Sequence, residues 1–275
     1  MNISINSDLS IESDHEITKT EQQYIDLLQF ILKDLLFNEF TLITDDLALE
    51  TTRPTTRPIL ALTVKKDTQT YKLCSIWGLM LHKKINSLLQ SSRPWSSKIS
   101  KAIWRGSTTG QDSIVSDRSL RKYTRFQLVS IAQKRQDLID AGFTSVVQYA
   151  LKNKQKFDLK MSPSMTQEEQ SMYKYIVIAD GNSGTYSFYW VLASGSVPLK
   201  QDSDYIQYFE EKEFGLSEYI HYVPIKKDFS DLFEKIMWLQ LNDDKAYEIS
   251  RNAMKFAQEH FTYNSLKDQL INLVK

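Results

Sequence analysis

The stretch from Met172 to Lys200, MYKYIVIADGNSGTYSFYWVLASGSVPLK, constrains the fold more than any other part of the chain. Tyr175 to Ala179 is a short, apolar, β-branched run that fits a buried strand. Asp180-Gly181-Asn182-Ser183-Gly184 follow, residue types that tolerate tight turns and positive φ. Thr185 to Ser194 is long enough for a helix, Gly195 stops it, and Ser196 to Leu199 reads as a second strand. A strand–loop–helix–strand unit belongs in a parallel sheet. Its loop opens onto a helix N-terminus, where unpaired N–H groups and the helix dipole favour an anion such as phosphate.

The flanking sequence repeats the alternation. Residues 1–17 are polar and acidic and predict a disordered or loosely held lead-in. Apolar residues at Tyr24, Leu27, Leu28, Ile31, Leu35 and Leu36 mark one face of a helix over 18–38. Phe40 to Thr44 and Ile59 to Val64 read as strands, with a loop of two Thr-Arg-Pro repeats between them. Tyr71 to Gln90 is a periodic helix, with Gly78 a place where it can break. Ser91 to Ser97, SSRPWSS, is the best linker. Beyond it, Ile99–Trp104 predicts a strand, 105–110 a loop, 117–134 a cationic helix, 137–140 a strand and 145–153 a helix. Thr166 with Glu169 has the spacing of a capping box. Tyr219 to Ile225 reads as a strand, followed by helices over 228–241, 243–260 and 262–275. This predicts two doubly wound halves, 1–98 and 99–260, with a C-terminal helix over 261–275 free to pack back on the first. Ligands of such sheets sit beyond the C-terminal strand ends, here after Thr44, Trp104, Ala179 and Val223.

Composition narrows the function classes. Lysine plus arginine number 34, as do aspartate plus glutamate, so no global field draws the chain to nucleic acid. The single cysteine, Cys74, fits a reducing compartment and rules out a disulfide framework. The N-terminus has neither a signal-peptide nor a transit-peptide pattern, and no apolar run reaches the length of a membrane span. The expectation is a cytoplasmic, soluble protein. The lysines at 152, 154, 156 and 160 form a solvated loop that could also meet anionic headgroups.

Few residues carry chemistry on pattern alone. Gly181 to Thr185 lacks the dinucleotide fingerprint and the P-loop lysine, and reads equally as an ordinary turn with Ser183 or Thr185 capping the helix. Arg105-Gly106 at a strand end suits a phosphate, the arginine as a fork and the glycine for close approach; a surface arginine on a turn is the plainer alternative. Asp45-Asp46 closes a strand, where a carboxylate can serve as general base or simply cap the turn. His221 lies in the predicted 219–225 strand and reads as a cleft-wall residue or a catalyst. No histidine, cysteine or carboxylate cluster has metal-ligand spacing, so no metal is expected.

In order along the chain come Trp104-Arg105-Gly106-Ser107, Asp140-Ala141, Tyr173-Lys174-Tyr175 leading to Asp180-Gly181, Ser194-Gly195-Ser196-Val197, His221-Tyr222-Val223-Pro224 and Asn242-Asp243-Asp244 with Ala246. This ordered series resembles glycosyltransferase family 90. That group includes bacterial lipopolysaccharide core transferases of the LpsA type, fungal capsule-associated xylosyltransferases and animal protein O-glucosyltransferases. The resemblance implies a GT-B architecture, two Rossmann-like domains facing a cleft, with the acceptor on the first and the nucleotide-sugar on the second. It implies inverting, metal-independent transfer of a hexose from UDP-glucose or UDP-galactose. It maps the general base onto Asp46, with Asp45 the near alternative. Arg105, Gly106 and Ser107 fall near the nucleotide, and Asp180, Gly181, Asn182, Ser183, Gly184 and Thr185 near the pyrophosphate, with His221 also on the nucleotide-sugar side. Ser187 stands where family members often carry an arginine, so one phosphate-neutralising charge is either missing here or supplied elsewhere, with Arg118 and Lys200 the candidates. The chain shows neither the secretory signal nor the set of cysteines that the animal members carry, which points to the bacterial branch. The implied acceptor is then a lipopolysaccharide inner-core heptose or related surface glycan, met at the inner face of the inner membrane. The competing expectation is a non-catalytic nucleotide-binding or scaffold protein that keeps the fold.

Overall fold

The computed structural model describes residues 2–44, 58–66, 71–110, 124–147 and 161–275. In chain order its elements are β1 (Asn2–Ile5), β2 (Ile11–Ser13), α1 (Lys19–Leu32), β3 (Phe40–Ile43), β4 (Ile59–Ala61), β5 (Val64–Lys65), β6 (Lys72–Leu73), α2 (Ile76–Gln90), β7 (Ile99–Ser107), α3 (Thr124–Ala132), β8 (Ile139–Ser145), α4 (Gln167–Gln170), β9 (Tyr173–Ile178), α5 (Ser187–Leu192), β10 (Val197–Gln201), β11 (Tyr205–Ile206), β12 (Val223–Ile225), α6 (Leu232–Leu241), α7 (Asp243–His260) and α8 (Tyr263–Val274). They group into two compact units. The first holds Met1–His82, Asp204–Gly215 and His260–Lys275, and the second Lys83–Ser203 and Leu216–Glu259. The division therefore falls inside α2 rather than at the 98/99 boundary the sequence suggests.

The first unit carries a five-stranded sheet in the order β2-β1-β3-β4-β6. β3, β4 and β6 are parallel, whereas β1 is antiparallel to both β2 and β3. The expectation of disorder over residues 1–17 is thus corrected. Ile3 and Ile5 alternate with polar neighbours and are fully buried, and that period of two makes β1 a strand with one face on the core. Thr18 caps α1 in a capping box with Glu21. Residues 204–215 belong here because β11 pairs antiparallel with β5 and the Thr63 hydroxyl donates to the Ile206 carbonyl at 3.1 Å. α8 is held by the Ser75 hydroxyl, which donates to the Leu266 carbonyl at 2.6 Å.

The second unit is a fully parallel five-stranded sheet in the order β12-β10-β9-β7-β8. Lys174 to Ile178 of β9 are all buried, as expected of a central parallel strand covered on both faces. Val177, Leu199, Val223, Ile139, Phe229 and Ile236 share one core cluster. β7 runs longer than its apolar run predicts. Arg105, Gly106 and Ser107 continue the strand because they pair with Gly142, Phe143 and Ser145 of β8. Ser145, expected to start a helix, ends β8. α5 is shorter than expected at six residues, starting at Ser187. Thr166 caps α4 in the capping box its spacing predicts.

The 91–98 segment is not a free linker. Trp95–Ser97 forms a 3-10 turn, and Lys98 behind it is buried. Its ammonium donates to the carbonyls of Ser171 at 2.5 Å and Ser194 at 3.1 Å and to the Ser196 hydroxyl at 3.0 Å. One cation thereby fastens the entries to β7, β9 and β10.

The strand order locates the crevice. From β7 the chain goes to β8 on one side, then returns past β7 to β9 on the other. The crossovers diverge between β7 and β9, and a doubly wound sheet opens its binding crevice outside the carboxyl ends of such a pair.

Candidate functional site

β7 and β9 deliver two loops to that switch point, 107–110 and 179–185, and the half-buried Arg125 from the first turn of α3 stands between them. Its Nε donates to the Asp180 carbonyl at 3.0 Å and its Nη2 to the Ala179 carbonyl at 3.4 Å. Its Nη1 donates to the Ser107 carbonyl at 3.1 Å and to the Thr109 hydroxyl. The guanidinium lies 5.7 Å from the Trp104 ring centroid, a cation–π distance.

The loops touch each other directly. The Gly110 N–H donates to Asn182 Oδ1 at 2.9 Å. Gly110 has φ +97°, and a Cβ there would sit 2.7 Å from the Gly181 carbonyl oxygen. A Cβ on Gly181 would lie 2.9 Å from Arg125 Nη2. Gly110 therefore needs glycine, for its backbone angle and its closeness to a carbonyl, whereas a side chain at 181 would press on the movable ends of Arg125 and Thr109.

Asp180 anchors the second loop. Its carboxylate is buried and accepts from the Ser203 hydroxyl at 2.5 Å, and its N–H donates to Gln201 Oε1 at 3.0 Å. The Gly181 N–H donates to the Ser183 carbonyl at 3.1 Å, and Ser183 is buried. Gly184 lies between Ser183 and Thr185, whose hydroxyl accepts from the Ser187 N–H at 3.4 Å. Tyr186 stands at the N-cap of α5 and no side chain caps that helix, so neither Ser183 nor Thr185 takes the capping role the sequence leaves open to them. Thr124 and Gln127, on either side of Arg125, line a groove of about 460 Å³ with Lys226, Lys227 and Asp228.

The structure brings Ser107 and Asp180 through Thr185 to one place, but treats three other sequence candidates differently. Arg105 does not point a fork into the crevice. Its Nη2 donates to Asp140 Oδ2 at 2.6 Å and its Nη1 to the Trp104 and Asp140 carbonyls at 3.0 and 3.1 Å. Asp140 lies on the neighbouring strand and captures it; Gly106 packs so closely under Trp104 that a Cβ would meet Cζ2 at 2.5 Å. His221 is not in a strand. It sits in a turn before β12, at the N-terminal end of the sheet, where its Nδ1 accepts from the Ser217 N–H at 3.0 Å and its ring packs on Phe256 at 5.4 Å. Asp45 and Asp46 lie outside the described residues, as does Arg118. Lys200 is buried on β10, its ammonium 5.6 Å from the Phe188 ring.

Arg125, Thr109 and Gly110 are the members of the site that the sequence does not announce. Arg125 sits in a run with many cations, and only the crossover shows which one reaches the strand ends. Among the described residues no group of three or more histidine, cysteine, aspartate or glutamate side chains could hold a metal ion. Among them, too, no helix is long and apolar enough to cross a membrane.

A family model described as Glycosyl transferase family 90 matches residues 76–275, a span that contains both loops and Arg125. Protein 179R of Invertebrate iridescent virus 6 is 34% identical over 206 residues, covering 66% of this chain and 17% of the viral protein. Protein O-glucosyltransferase 3 of Homo sapiens is 31% identical over 165 residues, covering 60% of this chain and 29% of the human protein. The chain thus spans less than a third of the length of either relative. Among solved structures, TarM aligns with a TM-score of 0.42 at 14% identity, covering 79% of this chain and 50% of TarM.

Proposed function

Since the chain belongs to glycosyl transferase family 90, we propose that it moves a hexose from a UDP-sugar to an acceptor hydroxyl, inverting the anomeric carbon. The observation that carries this is Arg125, a cation held at the switch point between two glycine-bearing loops. In the reaction the acceptor oxygen bonds to the anomeric carbon as the bond from that carbon to the β-phosphate oxygen breaks. The electron pair of the broken bond leaves with UDP. The acceptor proton passes to Asp46, or to Asp45 in its place. Arg125, with the Ser107 and Thr109 hydroxyls, stabilises the charge that grows on the β-phosphate. To do so it trades carbonyl partners for phosphate oxygens, which form shorter and stronger charge-assisted bonds. The groove beside Thr124 and Gln127 has the size of a small-ligand site and can take the nucleoside. Arg125 supplies positive charge without a metal, so the reaction should proceed in EDTA.

The acceptor is a hydroxyl on a protein or a glycan. The name of the human relative favours a protein and glucose. A lipopolysaccharide heptose, with the enzyme on the cytoplasmic membrane face, belongs to the bacterial branch and gains nothing from the viral and animal relatives described above.

The test is UDP release from UDP-glucose and UDP-galactose in EDTA, with and without a serine-bearing protein domain or a heptose-terminated core oligosaccharide. Wild type should release UDP and label one acceptor class. Asp46→Asn should lose turnover and keep UDP affinity. UDP binding without release from either donor would favour the non-catalytic scaffold instead.

A further inference from the structure

A second cluster of ionisable side chains lies in the first unit, at the C-terminal end of β3. Glu21 is 3% exposed, and both its carboxylate oxygens are used. Oε2 accepts from the Thr18 N–H at 2.8 Å, which completes the cap of α1 and needs nothing more. Oε1 does something the cap does not require. It accepts from the Thr44 hydroxyl at 2.5 Å and faces His15 Nε2 at 2.8 Å. His15 Nδ1 in turn lies 2.7 Å from Asp14 Oδ1. An imidazole with a carboxylate at each nitrogen is suited to carry its proton on both.

The electrostatics agree with this arrangement. Burial would raise the Glu21 carboxyl, but the bonds from Thr44, Thr18 and His15 more than offset it and hold it at about 2. His15 is raised above its ordinary value, first by Asp14 and then by Glu21. Asp14–His15–Glu21–Thr44 is therefore a chain of charged and hydrogen-bonded groups. It ends on the residue to which Asp45-Asp46 is attached. In sheets of this kind ligands sit beyond the carboxyl ends of the parallel strands, and β3 is parallel to β4.

We propose that Glu21 is a positioning residue for the transfer reaction, holding the end of β3 through the Thr44 hydroxyl and so fixing the point from which the Asp45-Asp46 pair departs. The catalytic part of this rests on the transferase function proposed above. The structural part rests on the network alone.

Thr44→Val removes the hydroxyl, keeps the side-chain shape and leaves the Thr18–Glu21 cap intact. Thr44→Ser restores the hydroxyl. In hydrogen–deuterium exchange, the peptide over residues 40–47 should exchange about 10-fold faster in Thr44→Val than in wild type, as loss of a bond to a charged group implies. Exchange in α1 should be unchanged, and Thr44→Ser should return the peptide to the wild-type rate. With UDP-glucose as probe, Thr44→Val should lower the kcat of UDP release by about 100-fold, the scale of a small misplacement of a reacting group. KM should stay within about twofold, and Thr44→Ser should recover turnover. Unchanged exchange over 40–47 overturns the proposal, whether or not the protein turns over UDP-glucose. Faster exchange with unchanged turnover overturns the positioning role. If wild type releases no UDP, the transferase function fails, and the exchange arm still decides whether Glu21 holds β3.

Discussion

The two ends of the second unit's sheet hold their cations in opposite ways. At the N-terminal end, Lys98 is buried under three oxygens, two from carbonyls and one from a serine, all at the entries to neighbouring strands. At the C-terminal end, Arg125 is half-buried and bonds the two loops that border the switch point. Lys98 has three N–H donors and three acceptors, so its bonding capacity is consumed by the fold. Arg125 holds loops whose glycines let the backbone come close, and its partners are ones that phosphate oxygens can replace. The same kind of interaction is a staple at one end and, under the function proposed above, a ligand-exchangeable latch at the other.

The sharpest way to break this comparison is to remove each cation in turn. Lys98→Met leaves two carbonyls and a hydroxyl without their donor and should cost about 3 kcal/mol of unfolding free energy, measured by denaturant titration. UDP affinity should be unchanged. A Lys98→Met variant with weakened UDP binding would show that the two ends are not independent. Lys98 also gives a pH signature. Burial, and next the Arg93 charge, push it down from 10.5 to about 8. Between those pH values the unfolded chain holds a proton that the folded chain has lost, so folding stability rises with pH. The deficit of Lys98→Met relative to wild type should therefore widen from pH 8 to 10.5 and be flat on either side. A flat difference throughout would mean that the ammonium is not desolvated.

Arg125→Ala is the complementary change. Loss of charge-assisted bonds should weaken UDP binding by about 10- to 100-fold, with a smaller loss of stability than Lys98→Met. Gly110→Ala should have the smallest effect on the fold. Its φ of +97° and the Gly181 carbonyl at 2.7 Å from the new Cβ together cost about 1–3 kcal/mol, concentrated in the two loops. It sharpens the comparison because it disturbs the latch without touching a charge. Weaker UDP binding in Gly110→Ala, with Lys98→Met at wild-type affinity, would locate ligand binding in the loops.

The sequence carries this contrast unevenly. The strand–loop–helix–strand unit is legible because its apolar runs and glycine-rich turn are local, and so is the capping box at Thr166 and Glu169. Ile3 and Ile5 are harder, since a four-residue strand in polar sequence gains its partners from Phe40 to Ile43. Arg105 looks like a phosphate ligand because Asp140, which captures it, lies 35 residues away. Arg125 is hidden for the converse reason. Its partner carbonyl at Asp180 is 55 residues away, and only the crossover topology brings them together. Side-chain chemistry set by neighbours in sequence can be read directly; chemistry set by strand order cannot.

The most direct test is a calorimetric titration of UDP, in EDTA, into wild type, Arg125→Ala and Lys98→Met under conditions where all three are folded. The crevice between β7 and β9 as the pyrophosphate site predicts saturable binding to wild type and Lys98→Met with equal affinity, and binding at least about 10-fold weaker in Arg125→Ala. Equal affinity in wild type and Arg125→Ala would contradict it and move the nucleotide away from that switch point.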